Sequence, residues 1–241
     1  MIQSSQMMIR CFQKGFNFRQ DGPGNRLVYH LQGCNLHCPW CSNPEGMAMS
    51  GGQDVDVSAL VAECRRSRRL FTGGGGVTFT GGEATVQHEA LLQALRTLRA
   101  EGIHTAIETN GTSPRLCEIA AEVDWLIMDF KHVDGGRFGE ACGSGFDTLR
   151  GNYLRLAGER RQLHVRIPLV NGFNADDAGR FAAFFASSPC ANVCFEFLRY
   201  HEYGRGKWRT PYAVTDGFVS DEQHRSFVGE FEKRGLKVVE T

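Results

Sequence analysis

The feature that most constrains this chain is an alternation of short β-rich runs with amphipathic segments over nearly its whole length. Strand-like runs fall at Leu27–Leu31, Val77–Thr80, Thr105–Glu108, Trp125–Asp129, Val165–Leu169, Val193–Leu198 and Lys237–Val239. Between them Ser58–Leu70, Glu89–Glu101, Pro114–Ala121, Thr148–Glu159, Asp176–Ala186 and Asp221–Lys233 read as helices. Leu91, Leu92, Leu95 and Leu98 share one helical face, Ser113-Pro114 supplies a cap ahead of a first-turn proline, and Ser220 with Gln223 has the spacing of a capping box. Strands alternating with helices imply parallel strands joined by right-handed crossovers, in an open doubly wound sheet or a complete or partial barrel. About six repeats are visible, fewer than the eight of a full barrel. No Pro, Gly or Ser-rich linker divides residues 1–241, so a single domain is expected, with its functional side chains after the C-terminal ends of strands.

Composition removes several classes of function. Basic and acidic side chains balance at 27 each, which argues against a nucleic-acid footprint. The exception, Arg65-Arg66-Arg68-Arg69, reads first as the solvated face of a helix and second as a docking patch for an acidic partner. No apolar run reaches the ~20 residues of a membrane span, and Met1–Gln6 has no basic flank before an apolar stretch. A cytoplasmic protein without membrane association is expected. Its nine cysteines then suggest thiolate or metal chemistry rather than a disulfide framework.

Three of those cysteines lie together in Gly33-Cys34-Asn35-Leu36-His37-Cys38-Pro39-Trp40-Cys41, directly after the first strand. Thiolates at CxxxCxxC spacing can hold three irons of a cubane and leave the fourth open. Structural zinc is the competing reading, but it needs a fourth ligand, and His37 sits between two of the cysteines where a short loop can hardly turn all three onto one ion. Cys190 and Cys194, a CxxxC pair, are too few ligands for a second cluster, and a buried thiol is the favoured reading of Cys194.

Further polar motifs close the other strands. Gly81-Gly82-Glu83 ends the Val77 strand without the Gly-Lys-Ser/Thr of a phosphate loop. Glu108-Thr109-Asn110, Asp129-Phe130-Lys131, Arg166-Ile167-Pro168 and Tyr200-His201-Glu202 lie on or after later strands, and Asp21-Gly22-Pro23-Gly24 precedes the first.

The cysteine spacing with Trp40 just before the third cysteine resembles the radical S-adenosylmethionine (SAM) enzymes. Asp21–Gly24 ahead of the cysteine loop, with the run through Asn43, resembles the glycyl-radical-enzyme activases of the pyruvate formate-lyase activase group, in the short form without a ferredoxin-like insert. The resemblance extends from about Gly15 to the C-terminus, with two departures: His30 replaces an aromatic, and Glu108 an aspartate. It implies an α/β fold, a partial (β/α)6 TIM-type barrel, and an oxidoreductase that takes a hydrogen atom from a glycine Cα of a partner enzyme. It also implies a role for each matching residue. Cys34, Cys38 and Cys41 would hold one 4Fe-4S cluster, with Trp40 and Ser42 beside SAM. Gly81, Gly82 and Glu83 would meet the SAM amino group and Lys131 its carboxylate. Glu108 and Asp129 would hold a monovalent cation. His201 would bond the ribose or carboxylate, and Arg166 would steady the adenosyl group or brace a neighbouring carboxylate. Asp21, Gly22 and Gly24 would grip the substrate peptide. The implied partners are a glycyl radical enzyme and flavodoxin or ferredoxin as electron donor, with the activase itself a monomer in an oxygen-poor cytoplasm. Two rivals remain. One is a radical SAM enzyme acting on a small molecule, of the 7-carboxy-7-deazaguanine synthase kind. The other is a zinc-stabilised binding module.

Overall fold

The computed structural model describes residues 6–159 and 162–239, so the Met1–Ser5 part of the N-terminal reading lies outside the described residues. The chain forms two compact units. One comprises the chain up to Asn35 with Glu45–Thr109 and Arg115–Leu126; the other comprises Leu36–Pro44, Asn110–Pro114 and the chain from Ile127.

In the first unit the strand order is β3-β1-β2-β4-β5, from β1 (Met8–Phe18), β2 (Asn25–Leu31), β3 (Gln53–Asp56), β4 (Gly76–Gly81) and β5 (Thr105–Thr109). β1 pairs antiparallel with β2, Phe18 facing Asn25, whereas β2, β4 and β5 are parallel, Leu31 facing Gly81 and Phe79 facing Ile107. α1 (Val57–Ser67) and α2 (His88–Ala100) are the crossover helices, and their leucines, Leu60, Leu91, Leu95 and Leu98, are fully buried with Val77, Phe79 and Ile107. α3 (Leu116–Ala120) is one short turn further on.

β6 (Trp125–Asp129) begins in the first unit and ends in the second. There the strand order continues β6-β7-β8-β9, with β7 (Leu163–Leu169), β8 (Val193–Arg199) and β9 (Lys237–Val238), and the β7–β8 and β8–β9 pairings are parallel. α4 (Gly135–Cys142), α5 (Phe146–Gly158), α6 (Ala178–Ala186) and α7 (Asp221–Glu232) accompany these strands. The core of this unit is aromatic: the Phe185 ring lies 4.7 Å from Phe195, and Phe231 lies 4.8 Å from Phe197. The first pair is tilted and the second edge-to-face, and aromatic contacts of these kinds add to the burial term. Ser220 caps α7 with the predicted capping box complete.

Every predicted strand is present to within a few residues. The sequence reading lacked β1, β3 and α4. β1 buries only Ile9 and Cys11, and β3 is Gln-Asp-Val-Asp on the sheet edge, so neither carries a clear alternation. α4 opens on two glycines and has a third at Gly139; it is started by Asp134, whose carboxylate accepts from the Gly136 and Arg137 amides. The Ser113-Pro114 cap is not used: α3 begins at Leu116, and Ser113 instead gives its carbonyl, with that of Gly111, to Asn152 Nδ2. The arginine run is the solvated end of α1, with Arg65 paired to Glu101 and Arg66, Arg68 and Arg69 exposed. Among the described residues no helix is long and apolar enough to cross a membrane.

Candidate functional site

In the first unit the end of β2 and the end of β4 are sewn together. Gly82 N donates to Leu31 O at 2.9 Å, and Glu83 N donates to Gly33 O at 2.7 Å. Gly33 N donates to Gly46 O at 2.9 Å and Cys34 N to Met47 O at 3.0 Å, which fixes the main chain at the first cysteine. A Cβ on Gly82 would lie 2.3 Å from Gly33 O and 2.4 Å from Gly46 O, so only glycine fits. The Glu83 carboxylate is buried and accepts from Thr85 N, Thr85 Oγ1 and Thr109 Oγ1, tying β5 to the same place. Glu108, half-buried, accepts from Thr80 Oγ1 at 2.8 Å. His30, the departure from the family pattern, sets its ring 5.7 Å from that of Phe12.

Asp21, Gly22 and Gly24 are placed differently from the other candidates. They form the β1–β2 hairpin at the N-terminal end of β2, whereas Cys34 follows the C-terminal end of this seven-residue strand. Gly24 has φ +68°, and a Cβ there would lie 2.2 Å from Thr72 O. Asp21 O accepts from Thr78 Oγ1, and the fully buried Arg26 guanidinium donates to Pro23 O and Val77 O. The motif thus has a structural job on the Thr72–Gly75 loop.

In the second unit Cys38 is buried and Cys41 half-buried, neither in a disulfide. His37 N donates to Cys142 O at 2.9 Å, and contact with the Cys142 thiol, then burial, pushes the Cys38 thiol up. Lys131 belongs to this neighbourhood. Burial opposes its charge, but the Asp129 carboxylate at 2.9 Å outweighs that and holds the ammonium above the ordinary lysine range. Lys131 is therefore a buried ammonium beside Cys38.

Trp40 packs on Phe173 with ring centroids 4.5 Å apart, and Phe173 lies 5.0 Å from the buried His132 ring. Arg166 Nε donates to Glu196 Oε2 at 2.6 Å, both side chains buried and facing each other in the β7–β8 register. The carboxylate-bracing reading of Arg166 thus has a direct contact. His201 stacks on the exposed Tyr203 ring at 4.1 Å, Nδ1 accepts from Tyr203 N at 3.4 Å, and burial lowers its pKa.

The sequence reading missed a turn after β8. Trp208 Nε1 donates to Cys41 O at 3.1 Å, and Lys207 Nζ donates to Asn43 Oδ1 at 3.0 Å. A Cβ on Gly204 would lie 2.6 Å from Ser42 Cα and 2.7 Å from Cys41 O. Asn43 N in turn donates to Cys41 Sγ at 3.4 Å. The only sequence signal was a buried-type aromatic, Trp208, in a glycine-rich basic segment.

Cys34, Cys38 and Cys41 follow one another along the segment after β2, and Lys131 supplies positive charge beside Cys38; cysteine thiolates are the donor type that suits a cubane with an open iron. Among the described residues no group of three or more His, Cys, Asp or Glu side chains is gathered as for a single metal ion.

The family model of the radical SAM superfamily matches residues 28–185. The chain is 40% identical over 225 residues to a pyruvate formate-lyase-activating enzyme of Clostridium pasteurianum, covering 90% of this chain and 94% of that protein. It is 34% identical over 198 residues to the pyruvate formate-lyase 1-activating enzyme of Escherichia coli K12, covering 78% and 79%. Among solved structures, a domain of a pyruvate-formate lyase-activating enzyme from Bacteroides vulgatus aligns with a TM-score of 0.58 at 28% identity, over 69% of this chain and 98% of that one. A radical SAM methyltransferase from Sphaerobacter thermophilus aligns with a TM-score of 0.68 at 18% identity, over 93% and 67%, a likeness of fold.

Proposed function

The chain belongs to the radical SAM superfamily and, within it, to the pyruvate formate-lyase activating enzymes, and from that premise we propose how its residues carry glycyl-radical activation. It is an oxidoreductase that uses a 4Fe-4S cluster and SAM. Once bound, a cluster and SAM would together supply the one-electron chemistry that takes a hydrogen atom from a glycine Cα of the partner enzyme and leaves the unpaired electron there.

Cys34, Cys38 and Cys41 are the cluster ligands in this reading, supported by their CxxxCxxC spacing and by Lys131 beside Cys38. Lys131 pairs with the SAM carboxylate; its charge is already secured by Asp129. The amides of Gly82 and Glu83 are engaged by Leu31 O and Gly33 O, so what this strand end offers a SAM ammonium is carbonyl oxygen. Trp40, steadied by Phe173, and Ser42 flank the adenosyl group, and His201 bonds the ribose or carboxylate. With Nδ1 accepting from a main-chain amide, neutral His201 presents Nε2–H as a donor. Arg166 acts through Glu196 as a brace. Glu108 and Asp129 hold a monovalent cation. Asp21, Gly22 and Gly24 contact the substrate peptide, which must then reach the hairpin end of β2.

Residues 1–241 act as one radical SAM domain, a cytoplasmic monomer that takes electrons from flavodoxin or ferredoxin and binds neither nucleic acid nor membrane. The observation that carries the reading is the triple-thiol loop seated at the end of β2. Anaerobic purification tests it: the protein should be brown, with about four irons and four sulfides per chain. Cys38→Ala should abolish cluster assembly and Cys194→Ala should not. A colourless zinc protein would overturn the reading.

A further inference from the structure

Three consecutive residues, Cys41, Ser42 and Asn43, are gripped by one turn that lies more than a hundred and sixty positions further along the chain. Trp208 holds the Cys41 carbonyl at 3.1 Å, Gly204 lies against Ser42 too closely for any side chain, and Lys207 holds the Asn43 amide oxygen at 3.0 Å. The turn is itself braced. Arg205 pairs with Glu202 at 2.8 Å and lies over the Tyr212 ring, Trp208 meets Tyr212 edge-on at 5.7 Å, and the Tyr200 and Tyr212 hydroxyls are 2.9 Å apart. A half-buried tryptophan whose indole N–H is spent on a loop carbonyl, inside a braced turn, is a device for fixing that loop.

What the grip fixes is a hydrogen bond to sulfur. Asn43 N–H points at Cys41 Sγ at 3.4 Å, with the Asn43 side chain held by Lys207 and the Cys41 carbonyl by Trp208. Amide hydrogen bonds to a ligating thiolate stabilise the more negative, reduced state of an iron–sulfur cluster, and outer partners that orient ligands are part of such a site. We propose that the Gly204–Trp208 turn is a clasp that orients Cys41 and its Asn43 N–H···S bond, raising the cluster's reduction potential, with Trp208 and Lys207 as positioning residues. The inference rests on the reading of Cys41 as a cluster ligand.

The test is a redox titration of the anaerobically reconstituted holoenzyme, followed by electron paramagnetic resonance of the reduced cluster and paired with iron analysis. Trp208→Phe keeps the ring and removes the donor; it should retain iron and shift the potential to more negative values. Lys207→Met should shift it the same way. Arg209→Met, in the same segment and exposed, removes a charge without touching the loop and should leave the potential unchanged. A parental potential in Trp208→Phe and Lys207→Met at full iron content would overturn the clasp, as would an equal shift in Arg209→Met, which would assign the effect to charge alone. Should Trp208→Phe fail to fold, the comparison of Lys207→Met with Arg209→Met decides. Cys41→Ala separates the two levels: if that variant still assembles a full cluster, the ligand assignment itself fails.

Discussion

Replacing Gly82 by alanine should be among the most damaging single-methyl changes in this chain. The new Cβ would lie 2.3 Å from Gly33 O and 2.4 Å from Gly46 O, whereas real Cβ atoms stay beyond 3.0 Å. Both neighbours are main-chain oxygens, so no flexible side chain can swing away. Gly33 O accepts from Glu83 N and Gly46 O accepts from Gly33 N, so retreat of either oxygen strains a hydrogen bond at the start of the cysteine loop. Overpacking of this kind costs about 1–3 kcal/mol, and weakening two hydrogen bonds adds roughly 1 kcal/mol each at most. A total of about 3 kcal/mol corresponds to a fall in Tm of roughly 6–12 °C for a chain of this size. Thermal unfolding of the apo-protein by circular dichroism measures it, with Gly15→Ala, where nothing lies within 4 Å of the new Cβ, as the control. SAM binding by the reconstituted enzyme should weaken in parallel if, as proposed, the same backbone meets the SAM ammonium. A Gly82→Ala Tm within about 2 °C of the parent would refute the cradle.

Two further predictions concern stability. Arg166→Met leaves the buried Glu196 carboxylate without its guanidinium, which should cost about 3–5 kcal/mol in urea unfolding; Arg166→Met with Glu196→Met should recover most of it, and equal losses in single and double variants would contradict the brace. Burial, chiefly, lowers the His164 pKa from 6.5 to about 4. The folded state therefore favours the neutral ring, and its stabilisation is full above pH 6.5 and lost as the pH falls toward 4. His164→Gln should flatten stability between those values, and an unchanged pH slope would count against it.

The parallel strands were legible because β4 to β8 are short, mostly buried runs rich in apolar and β-branched residues between amphipathic helices. β1 was not, because residues 13–15 are polar or glycine and exposed. The cysteine loop stood out in the sequence because CxxxCxxC is a short-range spacing that needs no tertiary information. The Gly204–Trp208 grip could not, because the contact between Trp208 and Cys41 depends on how the loop after β8 folds back, which no local periodicity encodes. The Asp21–Gly24 motif was visible as a turn, but its steric fit to Thr72 and its link to buried Arg26 emerge only from tertiary packing. Arg166 had two readings in sequence because a strand-end arginine can face ligand or protein; Glu196, its register partner on β8, supplies the protein contact.

The central claim is tested most directly by incubating the anaerobic holoenzyme with SAM, a one-electron reductant and a pyruvate formate-lyase type of enzyme, then recording the electron paramagnetic resonance spectrum. A glycine-centred doublet should appear on the partner and be absent with Cys41→Ala. SAM cleavage without that doublet would contradict it and move the chain to small-molecule chemistry.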